Sequence, residues 1–198
     1  MRRGGVVLLA AGYGRRFGSD KRRHVLPDGR SLAAASLDLY AAAFEAVIVV
    51  VRPEDDALAA QLAARSSTAR LVRCAEAAGG MGHSLACGAR AAADWDFLFV
   101  ALADMPWVRP DTLTRLRDTL LAVPADCVLQ PRHRGRPGHP VGFAGRYLGA
   151  LTALRGDAGA RAVVAGAGED LIRLDVDDPG ILEDLDTPPE AQAPEPSA

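Results

Sequence analysis

Apolar residues in this chain fall into short unbroken blocks rather than strict alternation. The blocks VVLLA (6–10), AVIVVV (46–51), RLVR (70–73), DFLFVALA (96–103) and CVLQ (127–130) each have the length of a strand. An apolar block with no polar interruption marks a strand covered on both faces, the habit of parallel sheets. Between these blocks lie SLAAASLDLYAAAF, PEDDALAAQLAAR, MGHSLACGARAAA and PDTLTRLRDTLL, all of helical character. In the last, Leu113, Leu116 and Leu120 share one helical face, and Pro110 suits a first helical turn. Strand and helix in alternation predict an α/β fold built on a doubly wound, mostly parallel sheet.

The pattern changes beyond residue 130. A Pro, Gly and Arg loop, PRHRGRPGHP (131–140), leads into a short strand VGF; a helix over about 157–165 and a strand LIRL (171–174) follow. The segment TPPEAQAPEPSA has four prolines in twelve residues and no apolar period. We therefore expect one domain over residues 1–187 and a flexible Pro/Ala-rich tail over 188–198.

Bulk composition narrows the partners. The net charge is −2, which gives no global electrostatic case for nucleic acid or an anionic membrane. The cysteines Cys74, Cys87 and Cys127 form no CxxC pair, so neither a zinc site nor a disulfide framework is expected, and a reducing cytoplasm suits them. MRRGGVVLLAAG has the charge of a secretory leader, but its apolar run from Val6 to Ala11 falls short of the roughly 7–15 residues required. We read it as a first buried strand. No run approaches the ~20 apolar residues of a membrane helix.

The chemistry concentrates after that first strand, in LLAAGYGRRFGSDKR (8–22). A Walker loop needs GK[ST], and Lys21 is followed by Arg22. A dinucleotide fingerprint fails in register, because Phe17 stands where the third glycine belongs after Gly12 and Gly14; the second strand also lacks the ribose-binding acid. What remains is a small-residue loop that wraps a nucleoside triphosphate directly, with Arg16 and Lys21 as cations, or else a tight turn with solvated arginines. Lys21 is the one lysine beside 22 arginines. A compact point charge in an arginine-rich chain suggests a place where the planar guanidinium fork does not fit.

Asp104 follows the longest apolar strand. Strand ends in a parallel sheet share one edge, so Asp104 and the first loop face one crevice, and a carboxylate there can hold the Mg²⁺ of a triphosphate. A turn or capping aspartate ahead of Pro106 is the alternative. The run LDVDDPGILEDLDTPPE carries seven acids, of which Asp184 and Asp186 reach such a metal only if the fold returns them to the crevice. His139, before a proline, is either structural or a hydrogen-bonding group. Arg132, Arg134 and Arg136 read as an exposed basic loop or a phosphate site. Asp157 reads as the cap of the helix after it, with Gly159 and Ala160 inside that helix. Met81 and Cys87 read as packing, and His83 as a neighbour of a base pocket.

Taken in order, LAAGYGRRFGSDK, GMGHSLACG (80–88), ALADMPWVRPDTL (101–113), GRPGHPVGF (135–143), LRGDAGAR (154–161) and DPGILEDLDTP (178–188) resemble one family over residues 5–190. The chain is similar to the molybdenum-cofactor nucleotidylyltransferases, the MobA/MocA-like NTP transferases, with their Rossmann-like, nucleotide-diphospho-sugar transferase type of fold. The resemblance implies Mg²⁺-dependent transfer of a nucleotidyl group to the terminal phosphate of molybdopterin, with release of pyrophosphate. It implies that Arg16, Lys21 and Asp104 are catalytic, that Asp104 and Asp186 bind metal, and that Leu9, Ala10, Ala11, Gly12, Gly14, Gly80, Gly82 and Ser84 bind the nucleotide. His139, Asp157 and Arg161 would face the acceptor. A molybdoenzyme or its chaperone is the implied protein partner.

The chain departs from the family pattern in two places: Phe17 replaces Met, a tolerated packing change, and Arg22, Arg23 and His24 replace apolar residues, which alters loop packing or adds an acceptor contact. In the family that the chain resembles, L-A-A-G accompanies cytidylyl transfer and L-A-G-G guanylyl transfer, so the resemblance implies, through Ala11, CTP over GTP. Guanylyl transfer, or a cytidylyl transfer to an isoprenoid or sugar phosphate, is the alternative within the class. An NADP-dependent oxidoreductase, with Arg52 holding a 2′-phosphate, is the alternative outside it.

Overall fold

The computed structural model describes residues 2–13, 20–123 and 126–185. Gly14, Arg16 and Asp186, and the expected tail over 188–198, lie outside the described residues. Strands β1 (Gly4–Leu9), β2 (Val47–Val51), β3 (Ala69–Arg73) and β4 (Phe97–Leu102) coincide with the first four apolar blocks. Helices α1 (Leu32–Ala43), α2 (Asp56–Ala63), α3 (Met81–Ala91) and α4 (Pro110–Ala122) occupy the segments between and after them. Ser31 starts α1 by accepting from the Ala34 N–H, and Pro110 takes the first turn of α4.

The remaining elements are β5 (Val128–His133), β6 (Arg136–Pro137), β7 (Val141–Ala144), α5 (Leu148–Thr152), α6 (Arg161–Gly166) and β8 (Leu171–Asp175). The sheet runs β3-β2-β1-β4-β7-β5-β6, with β8 paired to β5. From β3 through β4, and between β5 and β8, neighbours are parallel; β7 pairs antiparallel with both β4 and β5, and β6 antiparallel with β5. The result is a mostly parallel mixed sheet with helices on both faces.

The unbroken apolar blocks have the cause inferred from sequence. Val6, Leu8, Val49, Phe97 and Phe99 point into one core with residues of α1, α2 and α4. Val7, Leu9, Ile48, Val50, Leu98 and Val100 point into a second with residues of α3 and α5. Successive strand residues thus face opposite cores, and neither face is left to water. Among the described residues no helix is long and apolar enough to cross a membrane.

Beyond β4 the sequence reading needs correction. The helix expected from about residue 157 begins at Arg161, because Gly156 (φ +67°) and Gly159 (φ +55°) hold the chain in left-handed conformations no α-helix contains. Asp157 therefore does not cap it; Ala160 stands at that position, outside the helix with Gly159. The five-residue α5 escaped the sequence reading, and β5 runs on to His133. The register places the active edge. Leu9 pairs with Leu102, and the Ala103 N–H reaches the Leu9 carbonyl at 3.1 Å, so residues 10–12 and 103–104 leave the sheet side by side. The acidic segment does return here: the Leu185 N–H donates to the Asp104 carbonyl at 3.2 Å.

Candidate active site

A cleft of ≈ 420 Å³ opens at the carboxyl ends of β1 and β4. Its walls bring together Leu9, Ala10, Ala11, Gly12, Lys21, Gly80, Ser84, Asp104 and Asp157, nine of the residues singled out from sequence. The ammonium of Lys21 donates to Oδ2 of Asp104, and both side chains are largely buried, at 17% and 18% exposure. Two residues 83 positions apart thus meet because β1 and β4 are adjacent parallel strands. Ser36, fully buried on α1, donates its hydroxyl to the Ala103 carbonyl at 2.9 Å and fixes the peptide that leads into Asp104.

The far wall is the start of α3. Gly80 has φ +112°, and a Cβ there would lie 2.2 Å from Oδ1 of Asp157. At Gly82 a Cβ would lie 2.6 Å from the Arg155 carbonyl oxygen, and the Gly82 N–H donates to the Gly156 carbonyl at 2.7 Å. The GMGHS and LRGDAGAR motifs are therefore locked backbone to backbone. Gly82 acts by allowing this approach and is not itself a wall of the cleft, whereas Asp157 is carried to the cleft rim. Met81, expected to be packing, is 45% exposed and lines the cleft. The ring of His83 packs over Gly79.

The acceptor candidates divide. Arg161 is exposed and outside the cleft wall. His139 precedes a cis proline and also stands off the wall, with its buried Nδ1 lacking a hydrogen-bond partner among the described residues. Burial pushes its imidazole pKa below the ordinary histidine value; a Val100 backbone hydrogen bond and Asp104 oppose that shift and Arg161 reinforces it. Asp184 is exposed. Arg132 is committed to Asp175 through two bonds of 2.7 Å, while Arg134 and Arg136 are exposed.

Four residues hold the start of the first loop: Arg22 and Arg52, which the sequence singled out for other reasons, and Asp20 and Asp55, which it did not. Arg22, expected from sequence either to alter the packing of the loop or to contact the acceptor, is 3% exposed. It donates to both carboxylate oxygens of Asp20 (2.7 and 2.7 Å), to both of Asp55, and to the Ala10 carbonyl at 2.5 Å. Arg52 donates to the carbonyls of Ala11 and Gly12, and its guanidinium lies 4.0 Å over the Tyr13 ring, another cleft wall. The available signal was the acidic pair Asp55–Asp56 at the start of α2, too common a motif to act on. Burial alone pushes the Asp55 and Asp20 carboxyls up. Hydrogen bonds and charge from Arg22, with Arg52 adding to both, outweigh it and leave both below the usual carboxylate range.

A family model described as the MobA-like NTP transferase domain matches residues 6–172. The chain belongs to the MobA-like NTP transferase family. It is 32% identical over 190 residues to the nicotine blue oxidoreductase of Paenarthrobacter nicotinovorans, covering 91% of each chain. Among solved structures it resembles the Rv0371c protein of Mycobacterium tuberculosis H37Rv, with a TM-score of 0.77, 29% identity and coverage of 94% of this chain and 93% of that one. A structure of that mycobacterial protein in complex with manganese matches with a TM-score of 0.70 and 27% identity over 88% of each chain.

Two outcomes follow from this geometry. Gly82→Ala forces a methyl against backbone and is expected to lower stability by roughly 1–3 kcal/mol, read from urea unfolding. Carboxylates held low stabilise the fold above the ordinary pKa of about 4 and lose that contribution as pH falls through their folded values. Asp55→Asn should therefore flatten the acid limb of stability below about pH 4, measured as unfolding midpoint against pH.

Proposed function

We propose that this protein is a divalent-metal-dependent nucleotidyltransferase that moves CMP from CTP to the terminal phosphate of molybdopterin. The observation that carries the reading is the contact of Lys21 with Asp104 inside a cleft walled by the small-residue strand end Leu9–Gly12. One cation and one carboxylate at that edge suit a triphosphate and its metal.

The donor set fits Mg²⁺. Among the described residues no three His, Cys, Asp or Glu side chains converge, and Asp104 and Asp157 are the carboxylates on the cleft wall. Mg²⁺ takes one or two protein carboxylates and completes its shell with water and substrate phosphates. Asp104 would hold it, and Asp186 is the proposed second ligand. The manganese complex of the mycobacterial relative supports a divalent ion in this fold. When bound, the ion neutralises and orients the phosphates.

The chain's own groups do the rest. An ionised acceptor phosphate oxygen attacks the α-phosphorus and a P–O bond forms. The bond from that phosphorus to the bridging oxygen breaks, and pyrophosphate leaves with the electron pair. Lys21 transfers its contact from Asp104 to the phosphates and stabilises the charge that develops on the leaving group, with Arg16 proposed beside it. No side-chain nucleophile or general base is required. The Ala11 methyl, buried at the cleft wall, occupies space that a glycine would leave open and favours the smaller pyrimidine. Asp157 at the rim, with His139 and Arg161 beyond the wall, is proposed to face the acceptor.

The 32% identity to an oxidoreductase supports a second reading, reduction by a nicotinamide nucleotide in the same cleft, with Arg52 near its phosphates. The two are separated by assaying pyrophosphate release from CTP, GTP, ATP and UTP with Mg²⁺ and molybdopterin, beside NADPH consumption. CTP-dependent pyrophosphate release is expected. Lys21→Ala and Asp104→Ala should each lower turnover by about 10²–10³-fold, and Lys21→Arg should also impair it. NADPH consumption without pyrophosphate release overturns the reading, and a preference for GTP overturns the base assignment.

A further inference from the structure

The geometry points to Arg22 as the positioning residue that aims Lys21 at Asp104, acting with Asp20, Asp55 and Arg52 as a clasp over the end of β1. The inference rests on Lys21 and Asp104 being the working pair of the site.

Residues Lys21–Arg23 form a single 3₁₀ turn, started by Asp20, which accepts from the Arg22 N–H at 3.3 Å, and closed by the His24 N–H on the Lys21 carbonyl at 3.0 Å. In such a turn successive side chains diverge by about 120°, so anchoring one sets the direction of the next. The sheet order β2-β1-β4 gives that divergence its meaning. Arg22 reaches toward the β2 side, where Asp55 follows that strand, and Lys21 reaches toward the β4 side, where Asp104 follows that one. The turn straddles β1 and is pinned to it by Arg22 on the Ala10 carbonyl.

The anchor is saturated. A guanidinium has five N–H donors. Here Nε donates to Asp20, one Nη to Asp55 and the Ala10 carbonyl, and the other Nη to Asp20 and Asp55. Asp55 is held in turn by the Arg52 N–H at 2.9 Å, and the Arg52 side chain fixes the Ala11 and Gly12 carbonyls. The links to Asp55 and to the Ala10 carbonyl tie the turn to the ends of β2 and β1, while Asp20 closes it from within. This also explains the distribution of cations. Position 22 needs a planar fork to bridge two carboxylates and a carbonyl, whereas position 21 needs one compact charge on one carboxylate.

Because Lys21 is the one lysine, protein labelled with ¹³Cε-lysine gives one side-chain signal that reports this residue alone. Asp104→Asn sets the displacement expected when the pair is broken. Arg22→Gln and Asp55→Asn keep a single lysine and leave Asp104 in place. Each is expected to move the signal most of the way to its Asp104→Asn position while far-ultraviolet circular dichroism remains native. A signal unmoved in both variants, with Asp104→Asn displaced, overturns the proposal. Should Arg22→Gln not fold, Asp55→Asn and Asp20→Asn decide it in the same way. Adding Mg²⁺ and CTP to the wild type tests the functional reading separately, because that titration moves the Lys21 signal only if the triphosphate binds there.

Discussion

The adjacency of β1 and β4 as parallel strands is the constraint on which this molecule depends. Both strands end at one edge, so the backbone after Leu9 and the backbone after Leu102 emerge side by side. The Lys21–Asp104 pair in the described cleft follows from what these two exits carry. One carries the small residues Ala10, Ala11 and Gly12, which leave room for a ligand, with Lys21 further along the chain; the other carries Asp104. The ion pair between them is the local expression of the global topology.

That edge is supported from both sides and from behind. α1 supplies Ser36 to the peptide before Asp104, and the returning acidic segment supplies the Leu185 N–H to the carbonyl of Asp104 itself. On the opposite side the Arg22 and Arg52 guanidiniums hold the carbonyls of Ala10, Ala11 and Gly12. The α3 wall is fixed by close backbone approach to the 155–157 loop. A site meant to bind several phosphates must present fixed dipoles and charges rather than ones that rearrange on demand.

Much of the parallel half of the fold was legible because its strands are buried on both faces and therefore read as unbroken apolar blocks. The antiparallel half was harder. β6 has two residues and α5 has five, too few for a pattern to repeat, and α6 starts only after two glycines with positive φ, later than the expected helix. In the site, Lys21 and Asp104 were legible from their positions after strands. Arg22 was not, because a loop arginine is ordinarily solvated and only the spatial arrival of Asp55 makes its burial affordable. Asp157 lines the cleft beside Gly80 instead of capping a helix.

The most direct test of the central claim, that Lys21 and Asp104 form a metal–triphosphate site, is anomalous diffraction from crystals grown with Mn²⁺ and a non-hydrolysable CTP analogue. The account predicts one manganese peak at the Asp104 carboxylate, bridged to the triphosphate, with the Lys21 ammonium moved onto a phosphate oxygen. A triphosphate bound elsewhere, or manganese away from Asp104 with the Lys21–Asp104 contact intact, would contradict it.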